Sequence, residues 1–491
     1  MSDATPARPR HRPGNRAGND GRGGGRDRGR PTPPPKPGLP VRIAAAKLLG
    51  AVIEAHTPLD ALTDDAGGHP AYLALEPRDR ALVRAILLAA LRHRTRIEAV
   101  IAHRLERPLP GNARSLSHHL HVGATQVLLL DVPDRAAIDL AVEAATRDPR
   151  TRRFAGLVNA LLRRLAREKE RTLDWMERQP PGAPDWLEAA LHAAYGAERT
   201  GAILAAHARE ASLDLTVKDD PTRWADVLGG TVLPTGTVRV TRAPSPVPEL
   251  PGFAEGAWWV QDAAAALPAR LLGDVSGRDV LDLCAAPGGK TAQLACGGGR
   301  VRAVEINANR ARRLAGNLER LGLEAEISRV DLLKPAGPAA DPSVDPDKTP
   351  DGLAPAPLVL LDAPCSSTGT IRRHPDVAWT KTPDDVVKLA ALQARLLARA
   401  AELTEPGGRL VFANCSLLPE EGEAVTAAFL AARDDFALDP VDWRELGADE
   451  ATLAPMIAQG ALRVTPDMLP HENPSLAGLD GFYAARFRRA G

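Results

Sequence analysis

At 491 residues the chain exceeds what one hydrophobic core usually serves, so two or three domains are expected. Hydrophobic residues make up 44% and charged residues 25%, the proportions of a soluble globular protein, and with aromatics at 3% the core must be mostly Ala, Leu and Val. The net charge is zero, which would argue against nucleic acid as a partner if the charge were evenly spread. It is not: eight Arg and one Lys face three Asp in the first 40 residues. No apolar run approaches the roughly 18 residues of a membrane span, and the start has no secretory segment, so no membrane partner is expected. The four cysteines (Cys284, Cys296, Cys365, Cys415) are too scattered for a disulfide framework, and no C-x-x-C pair suggests zinc. A cytoplasmic protein without metal is the expectation.

Residues 1–40, rich in Arg, Gly and Pro, read as a disordered basic arm. From 41 to 170 the pattern is helical. Val83, Ile86, Leu87, Ala90 and Leu91 repeat at 3.6-residue spacing, as do Phe154, Leu157, Val158, Leu161, Leu162 and Leu165. Breakers at Pro58, Gly67-Gly68, 108–111 and 131–133 divide this stretch into a bundle of six or seven helices. Arg150, Arg152, Arg153, Arg163, Arg164 and Arg167 crowd its last helix. Such a run is either a solvated face or a grip on RNA phosphates.

Residues 171–250 read as a small connecting α+β subdomain with strands at Leu213–Val217 and Thr237–Thr241. Trp258-Trp259-Val260-Gln261-Asp262 leads into an Ala-rich helix and opens a last domain, 251–491. Strands are expected at Val280–Cys284, Val301–Ile306, Ala325–Val330, Leu358–Asp362 and Arg409–Asn414, with helices at Asn309–Arg320 and Asp384–Glu402 between them. That alternation predicts βαβ units and a mostly parallel, Rossmann-like sheet. The Pro- and Asp-rich stretch 335–357 reads as a surface insertion.

Cys284-Ala285-Ala286-Pro287-Gly288-Gly289-Lys290-Thr291 follows the first of these strands and opens a helix. A phosphate loop would need Gly where Cys284 stands, and a dinucleotide fingerprint would not have adjacent Gly288 and Gly289. What remains is a turn that lets backbone approach a nucleoside. Glu305, ending the second strand about 20 residues on, suits the two ribose hydroxyls. Asp331 follows the third strand and is placed to reach the adenine or the sulfonium side.

The fourth strand ends in Asp362-Ala363-Pro364-Cys365-Ser366-Ser367-Thr368-Gly369, the fifth in Asn414-Cys415-Ser416. A lone Cys is usually a small core hydrophobe, but two neighbouring strand ends each deliver one here. Two thiols suit methylation of a cytosine ring. One adds to C6 and makes C5 nucleophilic; a base then clears the C5 proton so that the thiol can leave. A carboxyl such as Asp362 at the ring N3 would help the addition, and Lys290 is placed to favour a thiolate.

On these residues the chain resembles the Sun/Fmu-type RNA 5-methylcytosine methyltransferases, the bacterial small-subunit rRNA enzymes with an N-terminal NusB-like helical domain. The motifs are Cys284–Thr291, Asp362–Gly369, Ile371-Arg372-Arg373-His374-Pro375-Asp376, Cys415-Ser416 with Pro419-Glu420-Glu421, Trp259–Asp262 and Asp480-Gly481-Phe482-Tyr483. The resemblance covers about residues 41–491. It implies an all-α NusB-like domain, a connecting subdomain and a class I methyltransferase domain using S-adenosylmethionine on 16S rRNA. It places the cofactor on Cys284–Lys290, Glu305, Asp331 and Asp362, makes Cys415 the nucleophile and lets Cys365 assist release. A monomer is expected. Three positions depart from the family: Asn414 replaces its usual Thr, Ser367 its frequent Gly and Glu305 its usual Asp. Two other readings compete. A DNA cytosine methyltransferase would use Pro364-Cys365 as the nucleophile and leave Cys415 without a role. A non-catalytic RNA-binding or antitermination protein would need neither cysteine.

Overall fold

Apolar residues at helical spacing build the N-terminal half. Its main helices are Leu39–Ala55, Pro77–Arg92, Arg94–Arg104, Arg114–Leu129, Asp134–Arg147 and Ala155–Arg167, with single turns at Leu59–Leu62 and Pro70–Leu73. The computed structural model describes residues 36–334, 352–447 and 449–491. Most of the basic arm (1–35) and the insertion from 335 to 351 lie outside the described residues.

The Ala155–Arg167 helix buries Val158, Leu161, Leu162 and Leu165 against Leu116, Leu120, Val127 and Ile138. Leu162 packs so tightly on Gly123 that a Cβ there would lie 2.6 Å from its Cδ1, so a methyl group would force these helices apart. The arginines fall on the other face. Arg152, Arg153 and Arg163 are exposed, while Arg150 pairs with Asp148 and Arg164 with Glu168.

Helices Lys169–Glu177 and Asp185–His207 lead to a small antiparallel sheet of β1 (Leu213–Val217), β2 (Thr231–Val232), β3 (Val238–Val240) and β4 (Trp258–Val260), in the order β2-β3-β1-β4. Its core holds Leu215, Trp224, Val238, Val240 and Trp258. The Trp258–Val260 segment is therefore the edge strand of this sheet. The Ala-rich stretch after it forms tight turns and only a one-turn helix, Leu267–Arg270, because Asp262 bonds the Ala264 and Asp480 amides and holds the chain in a turn.

The large sheet contains β5 (Asp279–Leu283), β6 (Arg300–Val304), β7 (Glu326–Ser328), β8 (Ala356–Asp362) and β9 (Thr404–Asn414), parallel in the order β7-β6-β5-β8-β9. Beyond β9 the sheet turns antiparallel through β13 (Phe482–Arg489), flanked by β12 (Ala461–Val464) and β10 (Phe436–Leu438), with β11 (Ile457–Ala458) at the edge. The expected parallel block is present, and the C-terminal segment widens it into a mixed sheet. β13 gives no clean alternation in sequence because Arg486 is buried too, satisfied by the Glu445 carboxylate and the Pro440 carbonyl.

The helical half rests on the segment that follows Cys365. The Leu59 amide donates to Asp376 Oδ2 (2.9 Å), Trp379 Nε1 to the Leu91 carbonyl (3.2 Å) and Arg92 Nη2 to the Arg372 carbonyl (3.0 Å). The contact at Arg372 lies only seven residues along the chain from Cys365.

Candidate active site

The carboxyl ends of β5 to β9 enclose a cavity of about 360 Å³. Its wall takes Cys284 and Ala286 from the turn after β5, Glu305 and Ile306 from the end of β6, and Asp331 and Leu332 from the segment after β7. Asp362, Pro364, Cys365 and Ser367 come from the end of β8, and Cys415 from the end of β9. Open-sheet proteins bind ligands at this edge. A larger cavity, about 600 Å³, lies among the N-terminal helices beside Glu54, His118 and Asp148, away from the strand ends.

Ala285, Pro287, Gly288, Gly289 and Lys290 are not in the cavity wall; they shape the turn behind it. Gly288 has φ 103°, and a Cβ there would meet Leu314 Cδ1 at 2.4 Å, so only glycine lets the turn pack on the neighbouring helix. Below it Thr291 Oγ1 donates to the fully buried Asp282 at 2.6 Å. Burial pushes the Asp282 carboxyl up to about 7. Lys290 is 8% exposed and its Nζ lies 2.7 Å from Asp362 Oδ2 and 4.8 Å from the centre of the Phe482 ring. It thus holds the carboxylate that faces the cavity.

Glu305 is 2% exposed. Its Oε1 accepts the Asn307 amide at 2.9 Å, while Oε2 is buried without a hydrogen-bond partner, 3.5 Å from Arg310 Nη1. A buried carboxylate oxygen at a cavity wall calls for a donor from outside the chain. Beside it Ile306 is an apolar side chain left 58% exposed. The ribose hydroxyls and the base of a nucleoside match that pair. Asp331, half-buried, accepts the Leu333 amide and pairs with Lys334 at 3.6 Å. Sequence reasoning missed Ile306, whose signal was an isoleucine where the strand meets its loop.

Cys365 and Cys415 stand with their sulfurs 3.4 Å apart. Their contact treats them differently. A hydrogen bond from Cys365 lowers the Cys415 thiol below its ordinary value, against burial and the Asp362 charge, with Lys290 also favouring the thiolate. Cys365 is raised well above its ordinary value by the same contact, then by burial and by the charges of Cys415 and Glu421. Cys284, pushed up to about 12 mainly by burial, is a poor nucleophile. Cys296 is exposed at a helix end.

The C-terminal Asp480–Tyr483 motif crosses over these turns. The Gly369 amide donates to the Cys415 carbonyl (2.9 Å) and the Gly481 amide to the Gly369 carbonyl (2.8 Å). A Cβ on Gly369 would lie 2.1 Å from the Gly481 carbonyl oxygen, which makes glycine obligatory at the crossing. Two family departures fit their places. Ser367 has φ 61°, the left-handed region that glycine favours. Asn414 is buried, donating to the Glu421 carbonyl and accepting the Ser416 amide. Among the described residues no cluster of His, Cys, Asp and Glu has the arrangement of a metal site, and no helix is long and apolar enough to cross a membrane.

Comparison with known proteins agrees with this geometry. Residues 269–488 match the family model described as 16S rRNA methyltransferase RsmB/F, and residues 39–167 match the NusB family. Ribosomal RNA small subunit methyltransferase B of Sodalis glossinidius is 34% identical over 81% of this chain and 90% of its own length. The protein of the same name from Klebsiella pneumoniae subsp. pneumoniae is 34% identical over 82% and 92%. Among solved structures, PH0851 superposes with a TM-score of 0.64 at 22% identity, covering 92% of this chain and 99% of that one. NSun6 from Pyrococcus horikoshii, solved with SFG, gives 0.50 at 18% identity, covering 64% and 100%. At those identities the two structures show a shared fold.

Proposed function

Because this chain belongs to the ribosomal RNA small subunit methyltransferase B family, we propose that it methylates C5 of a cytosine in 16S rRNA through a covalent bond from Cys415 to C6. The observation that carries this reading is the thiol pair: two cysteines 3.4 Å apart in one cavity with Glu305, Asp331 and Asp362. S-adenosylmethionine is the cofactor and supplies an electrophilic methyl group to C5 when bound.

The chain's own residues do the rest. Glu305 Oε2 accepts the ribose hydroxyls, Ile306 covers the base, and Asp331 orients the far side of the nucleoside. The turn Cys284–Lys290 fixes these strand ends, with Ala285, Pro287, Gly288 and Gly289 setting its backbone and Cys284 and Ala286 lining it. The Cys415 thiolate adds to C6, and the ring's electron pair moves towards C5. Asp362, when its carboxyl carries a proton, donates a hydrogen bond to the ring N3 and supports the negative charge that develops there; Lys290 keeps its side chain in place. A base then takes the C5 proton, the electrons of that bond restore the C5–C6 double bond, and Cys415 leaves. Cys365, in contact with the departing sulfur, assists this release.

In this proposal the chain divides into the arm (1–40), a helical RNA-binding domain (41–170), a connecting subdomain (171–250) and the methyltransferase domain (251–491). It works as a monomer in the cytoplasm without metal. The exposed arginines of the Ala155–Arg167 helix and the turn before it grip RNA phosphates, so affinity falls steeply with salt. Bisulfite sequencing of 16S rRNA with and without the gene tests the function. One cytosine that loses its methyl mark on deletion is expected; an unchanged methylation pattern would overturn the assignment.

A further inference from the structure

Glu421 takes no part in the chemistry above, yet it is completely buried, in the short turn Pro419–Glu421 beyond β9. Its Oε1 accepts the Ser366 amide at 2.8 Å and Gln393 Nε2 at 3.0 Å. Its Oε2 accepts the hydroxyls of Ser366 at 2.5 Å and Ser416 at 2.6 Å. Four donors thus converge on one carboxylate, the condition for tolerating such a group away from water. Their identity is informative. Ser366 follows Cys365, Ser416 follows Cys415, and Gln393 also donates to the carbonyl of Pro364, the residue before Cys365 (2.9 Å).

We propose that Glu421 is a positioning residue that locks the two cysteine turns side by side and, by its charge, keeps the shared proton on Cys365. The inference rests on the reading of Cys415 as the nucleophile, because it explains why that thiol is the one left ionised. The charges around the pair support the bias. Glu421 is among the groups that oppose ionisation of Cys365. The carboxylate that opposes ionisation of Cys415 is Asp362, and Lys290 Nζ offsets it at 2.7 Å. Arg463, the cation on the far side, is engaged with Glu423 and donates to the Ser416 carbonyl at 2.6 Å. The carboxylate is held by the amide and hydroxyl of Ser366 on the Cys365 side against the Ser416 hydroxyl alone on the Cys415 side, so its charge acts on Cys365 more than on Cys415.

The test is the reactivity of each cysteine towards iodoacetamide in the full chain, followed by peptide mass spectrometry from neutral to alkaline pH. In the wild type Cys415 is alkylated first. In Glu421→Gln, which keeps the size, removes the charge and puts an amide donor opposite the Ser366 and Ser416 hydroxyls, which can turn to accept it, the preference for Cys415 over Cys365 should fall about tenfold, one unit of relative acidity. Ser416→Ala removes one donor and leaves the charge, so it should keep the wild-type order. An unchanged preference in Glu421→Gln would overturn the proposal, as would an equal loss in Ser416→Ala, since loosening alone would then account for both. Should Glu421→Gln fail to fold, Glu421→Asp decides. Retained preference with reduced turnover supports the charge effect, and equal reactivity of the two thiols overturns it. Alkylation needs no RNA, so a Cys415→Ala enzyme that still forms an RNA adduct would remove the nucleophile assignment without touching this result.

Discussion

The turns after β8 and β9 carry nearly the same short text, Cys365-Ser366 and Cys415-Ser416, bring their sulfurs within 3.4 Å and are hydrogen bonded to the same carboxylate. Their thiols nevertheless have opposite character, Cys415 lowered and Cys365 raised. The difference lies in what faces each sulfur. Beyond their mutual contact, Cys415 has the Ser367 hydroxyl and Lys290 favouring its thiolate, while Cys365 feels Glu421. Two like residues at like positions thus acquire different chemistry from neighbours distant in sequence, and a motif that names both cysteines does not by itself say which one attacks.

Removing each thiol in turn puts the largest strain on this comparison. Cys415→Ala should lose methylation by several orders of magnitude while still binding RNA and cofactor, because the turn after β5 and Glu305 are untouched. Cys365→Ala should add to the ring, methylate and then stall. Its mark would be a protein–RNA adduct that survives a denaturing gel and forms only with S-adenosylmethionine. A DNA-type enzyme using Pro364-Cys365 predicts the reverse, an adduct from Cys415→Ala and none from Cys365→Ala. That reversed result would exchange the roles of the two strand ends.

Glu305→Ala acts on the other side of the cavity and so checks that the thiol difference is local. The buried Oε2 without a hydrogen-bond partner would be gone, and affinity for S-adenosylmethionine should fall by about 1–3 kcal/mol by calorimetry. The order of cysteine alkylation should not move. If affinity is unchanged, the ribose is held elsewhere.

Lys290→Gln weakens the contrast without abolishing it. The cation favours the Cys415 thiolate, so its loss raises that thiol towards its ordinary value. The reaction needs the thiolate, so turnover climbs as pH rises through the Cys415 pKa, and the variant's climb should begin at higher pH. At neutral pH turnover should fall about tenfold, the equivalent of one pH unit. A pH profile that keeps its midpoint would show that Lys290 matters only through Asp362.

How much of this was legible in the sequence follows the range of the interactions. Helices with a clean apolar stripe, such as Ala155–Arg167, and strands ending in a turn, such as β5 and β8, announce themselves through local periodicity. β1 was found to the residue, Leu213–Val217. β13 was not, because its burial depends on Arg486 meeting Glu445, a partner from another segment. In the site, the residue types at the strand ends were readable; the asymmetry of the thiols, the role of Ile306 and the convergence on Glu421 were not. Each depends on distances between strand ends that no local pattern encodes. The pairing of Trp258–Val260 with β1 is of the same kind, since three apolar residues do not say which of two sheets they join.

Ser367 offers the smallest and most local test, since it is where the two turns differ in backbone. The β8 turn carries a serine at φ 61°, and its hydroxyl lies 4.0 Å from Cys365 Sγ. The β9 turn has no left-handed residue between Asn414 and Leu418. A side chain in the left-handed region costs about 1–2 kcal/mol, and a glycine there gives back roughly 0.5–1 kcal/mol in lost conformational freedom. Ser367→Gly should therefore gain up to about 1 kcal/mol in stability, read from denaturant unfolding. Ser367→Ala retains the strain and deletes only the hydroxyl, which separates the two contributions. The Ser367 hydroxyl also favours the Cys415 thiolate, so both variants should lose turnover at neutral pH by about threefold, the scale of one neutral hydrogen bond. Turnover unchanged in both would instead remove the hydroxyl from what distinguishes Cys415 from Cys365, and with it the reason for retaining the backbone strain at this turn.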